Sequence, residues 1–231
     1  MVPGPIWQAR LVTGTSRGAL TRHWPLFGLR LATPRLVLRP VSDDDLAELV
    51  DLVLTGIHDP ADMPFSVPWT DAPRDELIAS TLRYHWSARA QATAESWSVL
   101  FAVRCGGELL GTQELRADHF PVTRTVHTGS WLGAAHQGQG FGTEMRCAVM
   151  DFAFDHLKAI RAETSAFVDN PASLAVSRKV GYQPNGDRVV QRRPAEVAVD
   201  QRLLLTPSTF RKPVWAVQVS GLAACRGSFG R

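Results

Sequence analysis

The sequence predicts an α+β chain: a mixed central β-sheet of about seven strands, flanked by helices on both faces, with one extra strand near the C-terminus. Three observations carry this. Alternating apolar segments recur, two of them joined at Cys105-Gly106-Gly107 as a hairpin. Other segments carry apolar residues at helical spacing. The resulting order, β-α-α-β-β-β-α-β-α-β-β, has too few strand–helix–strand units for a doubly wound sheet and too many helices for a sandwich.

The elements follow in order. Arg35–Pro40 reads as a short strand stopped by proline, after Thr33-Pro34. Ser42, with Asp45 three residues on, makes a capping-box start. Leu46, Leu49, Val50, Val53, Leu54 and Ile57 then give the clearest amphipathic helix. A loop with prolines at 60, 64, 68 and 73 ends it, and a second helix opens near Pro73 and runs through Ile78, Leu82 and Trp86. Trp97, Val99, Phe101 and Val103 share one face of a strand whose hairpin partner is 108–115. The polar stretch 117–124 leads to a strand over 125–133 and a helix over about 140–157, marked by Met145, Ala148, Val149 and Phe152. A strand over 159–168 precedes a short helix capped by Asp169-Asn170-Pro171 and ended by Gly181. Strands near 187–193 and 196–205 close the body, and 214–219 reads as the extra strand. Residues 1–22 are expected to be an unstructured leader, 23–206 the domain, and 207–231 an extension packed on the body or on a neighbouring subunit.

Composition narrows the function. The 231 residues are 45% hydrophobic and 20% charged, as in an ordinary globular protein. No stretch approaches the roughly 18 consecutive apolar residues of a membrane span. The net charge is +3, and 22 of the 25 basic residues are arginine, scattered without aromatic interleaving, so no nucleic-acid footprint is expected. Cys105, Cys147 and Cys225 are odd in number and far apart, which fits free thiols in a reduced, cytoplasmic setting. No His/Cys cluster has metal-ligand spacing, so no metal is expected.

The stretch from Gly129 to Thr143 carries the chemistry. Gly138, Gly140 and Gly142 lie between a strand and a strong helix. Glycines there let backbone approach a ligand, and the helix N-terminus behind them favours an anion. A plain tight turn would need one glycine, or two. The dinucleotide fingerprint fails because Thr143 stands where its third glycine belongs, and there is no G-K-[ST].

Gln137–Gly142 matches Q-x-x-G-x-G, and thereby resembles the acetyl-CoA signature of the GNAT N-acyltransferases. The element order is also similar to that family's fold. Asn170-Pro-Ala-Ser173 followed by Gly181-Tyr182, and Trp131-Leu-Gly133 ahead of the glycines, resemble the RimJ/RimL-type branch. Ile57-His-Asp-Pro, Met63–Trp69, Phe120–Arg124, Gly142–Arg146 and Phe167–Ser173 look like an actinobacterial subgroup with a succinyl-CoA-dependent member. The likeness covers roughly residues 33–206.

The resemblance implies direct attack of an amine on an acyl-CoA thioester in a ternary complex, succinyl-CoA being favoured and acetyl-CoA the alternative. The backbone from Gly138 to Thr143, through Gln139, Gly140, Phe141 and Gly142, would hold the pyrophosphate, with Gln137 completing the signature. Backbone groups of Trp131, Leu132 and Gly133 would meet the pantetheine and the carbonyl. Ser173, on the serine of N-x-x-S, is the expected thiolate acid, and Ser177, a further expected CoA contact, stands where many relatives carry the acid tyrosine. A capping or CoA-contacting hydroxyl is the other reading of Ser173. Asn170 bonds the pantetheine arm or caps its helix. Glu114 is the expected base, a solvent-facing strand glutamate being the plainer alternative, with His127, Asp118 and His119 as lesser candidates. Phe65, Trp69 and Trp86 either line the acceptor pocket or form a satellite cluster. Arg124 is the expected reader of a succinyl carboxylate, a solvated loop arginine otherwise. An idle acyl-CoA-binding module is a competing reading. The acceptor is an amine, of a protein or a small molecule, with no nucleic acid or membrane partner, and a homo-oligomer remains open.

Overall fold

The computed structural model describes residues 20–230. The expected leader falls largely on residues 1–19, outside that range, while Leu20–Trp24 form a hydrogen-bonded turn against the body. The strands are β1 (Arg30–Ala32), β2 (Leu36–Pro40), β3 (Trp97–Cys105), β4 (Glu108–Ala117), β5 (Thr125–Leu132), β6 (Arg161–Phe167), β7 (Gln183–Arg193), β8 (Glu196–Leu205) and β9 (Gln218–Ser220). The main helices are α1 (Asp43–Leu54), α2 (Arg74–Ala90), α3 (Phe141–Asp151, continued by a π-helical turn Phe152–His156) and α4 (Pro171–Val180). The strands form one sheet in the order β7-β8-β6-β5-β4-β3-β2-β1-β9. Every neighbouring pair is antiparallel except β5 and β6.

Among the described residues the sheet has nine strands rather than about seven plus one. Residues 30–32 were missed because three residues are too short for alternation to show. The tail strand is shorter than 214–219, because β1 offers only three partners and the Asp151 carboxylate takes the N–H of Val217. The tail packs on its own body: Leu222, Cys225 and Phe229 are buried, and Phe229 meets Trp97 edge-on at 4.9 Å. The polar stretch after β4 contains a helical turn, Phe120–Thr123, whose Phe120 is fully buried against Trp97.

Two apolar layers sandwich the sheet. One face, with Val99, Phe101, Val103 and Leu115, packs on Met145, Ala148, Val149 and Phe152 from α3 and its π turn. The other face sets Leu100, Ala102 and Leu109 against Leu46 and Leu49 of α1. The capping box of α1 is present: Ser42 and Asp45 exchange backbone and side-chain bonds. Asp45 also receives Arg39 and Arg104, each at 2.8 Å, and so locks α1 to β2 and β3.

β4 slips register between Val103 and Arg104, opposite Gly111. Gly111 has φ +153°, and a Cβ there would lie 2.2 Å from the Trp131 carbonyl oxygen. Only glycine lets β4 approach β5 this closely, and the bulge bends the sheet where β5 ends.

Candidate active site

β5 and β6 pair only from Thr125 to His127, opposite Arg161–Glu163. The Thr164 hydroxyl still reaches the Thr128 carbonyl at 3.0 Å, and beyond that the strands diverge. The edge of β5 from Gly129 to Leu132 therefore faces a wedge. At its open end β5 runs into the glycine loop and α3.

No side chain caps α3, whose Ncap is Gly140, and Glu144 is the first residue whose N–H bonds back into the helix. The N–H groups of the first turn are left for a ligand, at the positive end of the helix dipole. Gly138 (φ +74°) and Gly140 (φ +82°) sit in the left-handed region, and a Cβ on Gly138 would meet open space. Gly142 has ordinary helical backbone and faces Val176 of α4 and Leu132. Thr143 is half-buried in the first turn. Phe141 is tucked beneath Arg35, whose guanidinium lies 4.5 Å from the ring centroid.

Gln137 departs from a ligand-facing role. Its amide donates to the carbonyls of Ile57 (2.6 Å) and Leu132 (2.9 Å), which ties the loop to α1 and β5. Gln139 likewise bonds back to Ala135. Leu132 puts its side chain into the core, and Gly133 is pressed on Leu52, so only backbone remains to face the wedge.

Asn170 is the Ncap of α4, its Oδ1 accepting from the Ser173 N–H at 3.0 Å. Ser173 is half-buried in that first turn. One turn on, Ser177 is 1% exposed and its hydroxyl has no hydrogen-bond partner among the described residues.

Glu114 pairs in register with Gly129, the second residue past the last β5–β6 pair. Its carboxylate accepts from Ser98 Oγ at 2.7 Å and lies 3.1 Å from where a Cβ on Gly129 would be. Glu114 thus stands at the lip of the wedge, half-buried rather than solvent-facing. Tyr84 is about half exposed beside Glu114, and partial desolvation together with the Glu114 charge holds its hydroxyl above its ordinary value, so it stays protonated. His127 is held below its ordinary value by burial and by Arg116.

An aromatic row runs beside this lip: His58 to Phe65 at 5.6 Å, Phe65 to Trp69 at 5.2 Å, and Trp69 to Trp131 at 6.3 Å. Trp86 does not join it, because it faces outward and donates to Asp43 instead. Arg193, from the β7–β8 hairpin, grips both Asp71 oxygens and the Pro60 carbonyl, so that hairpin is strapped to the loop carrying Phe65 and Trp69.

Arg124 is misplaced for its expected task. It caps the turn before β5, at the closed end of the wedge, with its guanidinium on the Lys158 carbonyl. At about 3.3 Å per residue, Gly129 is roughly 16 Å further along the strand. Cys147 is buried and its thiol is pushed up to about 11 by burial, which leaves no thiolate nucleophile.

Two arginines escape the sequence reading because their partners lie far along the chain. Arg35 binds Glu144 at 2.6 Å and the Gln139 carbonyl at 3.2 Å, placing a half-exposed positive charge on the glycine loop. Arg146 lies under β5, bonded to Ser130 and Gln113. Arg35 has no local pattern that marks it, and Arg146 ends the Gly142–Arg146 segment of the subgroup likeness without any local sign of what it contacts. Among the described residues no group of three His, Cys, Asp or Glu could hold a metal, and no helix is long and apolar enough to cross a membrane.

The uncapped glycine loop and the unpaired edge of β5 thus meet at the open end of one wedge between parallel strands. The model of the acetyltransferase (GNAT) domain matches residues 35–183, more than half of the chain, and the chain belongs to that family. It is 35% identical over 78 residues to the "Probable N-acetyltransferase YjcK" of Bacillus subtilis (strain 168). That match covers 34% of this chain and 43% of the relative, so it spans less than half of that protein. The fold is similar to Mycobacterium smegmatis RimJ in complex with CoA-disulfide, at TM-score 0.62 and 19% identity, covering 86% of this chain and 93% of that one. It is also similar to RimL, a ribosomal L7/L12 alpha-N-protein acetyltransferase, at TM-score 0.60 and 19% identity, with 75% and 91% covered.

Proposed function

We propose that the chain is an acyl-CoA-dependent N-acyltransferase that moves a short acyl group to a primary amine by direct attack in a ternary complex. The observation that carries this is the uncapped glycine loop opening onto the unpaired edge of β5, with Glu114 at the lip. Phosphates of CoA suit the N–H groups of the loop and the Arg35 charge above it. The β5 edge offers the pantetheine a strand-like partner, and its backbone donors can stabilise charge on the thioester oxygen. Glu114 takes the amine proton, directly or through water, with the protonated Tyr84 donating to its carboxylate. Ser173 returns a proton to the leaving thiolate. The amine enters past Phe65 and Trp69, and Arg193 holds the entrance in shape.

Succinyl is the favoured acyl group on the resemblance to the succinyl-CoA-using subgroup; the acetyltransferase family model and relatives favour acetyl. The acceptor is an amine of a protein or of a small molecule. RimL among the neighbours is named for a ribosomal protein, and another, SpeG, for spermidine. The three free cysteines suit a cytoplasmic location.

Initial rates at varied acyl-CoA and amine test the mechanism. Intersecting double-reciprocal lines are expected, and parallel lines would indicate an acyl-enzyme instead. Ser173→Ala is expected to lower kcat by roughly 10- to 100-fold while CoA affinity stays within about twofold, because a proton donor acts in the transition state. An unchanged kcat would move that role to another group.

A further inference from the structure

Arg146 projects from α3 into the interior and is only 4% exposed. Among the described residues no carboxylate lies within ion-pair distance of it. Glu144 is taken by Thr33 and Arg35, and Asp151 by Lys212 and the N–H of Val217. The partners of its guanidinium are neutral: Nε meets Gln113 Oε1 at 3.4 Å, Nη2 meets Ser130 Oγ at 3.0 Å, and the Tyr182 hydroxyl lies beside it. Among the described residues Nη1 has no hydrogen-bond partner. A buried cation with an unspent donor and no counter-charge is costly, and a fold that keeps one needs a reason.

The location supplies the reason. Ser130 is half-buried on β5, within the stretch that faces no strand, so the guanidinium is one side chain from the wedge. Towards the closed end lie further hydroxyls: those of Thr128 and Tyr182 are 3.4 Å apart, Tyr182 also donates to the Met150 sulfur, and Thr164 bonds the Thr128 carbonyl. A methyl group gains nothing from such a floor. A carboxylate offers the unspent N–H its acceptor and the guanidinium its counter-charge.

We infer that Arg146 determines acyl specificity by receiving the terminal carboxylate of a dicarboxylic acyl chain whose thioester lies against Trp131–Gly133. This rests on the reading of the wedge as the acyl-CoA site, and it replaces Arg124 in that task.

The test compares binding of CoA, succinyl-CoA and butyryl-CoA, the last a neutral chain of equal length, by calorimetry. Wild type is expected to bind succinyl-CoA about tenfold or more tightly than butyryl-CoA, which is about 1.4 kcal/mol. Arg146→Gln should bring that ratio close to one, and Arg146→Lys, which keeps charge without the fork, should restore part of it. A wild type that does not discriminate overturns the inference without any variant, and so does an Arg146→Gln or Arg146→Lys protein that keeps the full ratio. Equal losses for CoA and both thioesters would make Arg146 structural, and also overturn it. Failure of wild type to bind CoA itself would instead strike the reading of the wedge, and the inference would fall with it.

Discussion

Gly140→Val is expected to weaken CoA binding by about 100-fold or more while leaving the protein folded. Gly140 is the Ncap of α3 at φ +82°, and its Cβ would sit 3.4 Å from Arg35 Nη2, on the surface that the anion approaches. A branched side chain there displaces the phosphate from the first-turn N–H groups. The unfavourable backbone alone costs on the order of 1–3 kcal/mol of stability. The matched control is Gly186→Val: φ is +86°, nothing lies within 4 Å, and the position is in β7, away from the loop. Both variants should lose similar thermal stability, and only Gly140→Val should lose CoA in calorimetry. Parallel CoA affinities in the two would show that the loop glycines serve the turn and not the ligand.

Asp45→Ala should be the most destabilising single change, by about 3–5 kcal/mol, because it breaks a buried ion pair from one side. Asp45 has a side chain 1% exposed, caps α1 through Ser42, and neutralises Arg39 and Arg104; Arg104 itself is only 12% exposed. For a domain of this size that is roughly 6–20 °C in Tm. The pH dependence has a definite sign. Burial alone would raise the Asp45 pKa, but the Ser42 donors, Arg104 and Arg39 outweigh it, so the folded carboxyl titrates below the ordinary 3.8. Its stabilisation is therefore complete above that value and is lost as pH falls through the lower folded pKa. Thermal scans of wild type and Asp45→Asn should converge towards acid pH. A constant gap across that range would remove Asp45 as the origin of the acid sensitivity.

What was legible in the sequence was local. The Ser42/Asp45 box, the Cys105–Gly107 turn, the Asn170 cap and Gly181 at φ +109° each rest on residues within a few positions of one another. The glycine loop was legible for the same reason. Elements that depend on distant partners were less so: β1 is three residues held between β2 and β9, and of the expected 214–219 strand only Gln218–Ser220 pairs, with β1. The site divides along the same line. Glu114 follows from hairpin register, which strand alternation sets. Arg124 seemed suitable from its loop and proline, yet the handed turn before β5 aims it at Lys158. Arg146 falls in the Gly142–Arg146 segment, yet only the burial of α3 against β5 shows that its charge lacks a counter-ion among the described residues. Trp86 likewise shares a helix with the core-facing Leu82 but turns to Asp43 on the outer face.

The central claim is that the wedge between β5 and β6 transfers an acyl group from CoA to an amine. The direct measurement is thiol release from acetyl-CoA and succinyl-CoA with a panel of primary amines and N-terminal peptides, with mass spectrometry of the amine product. The account predicts thiol release that depends on the amine, is matched by amide product, and is lost in Gly140→Val. Tight CoA binding with no amine-dependent release and no acylated amine would contradict it.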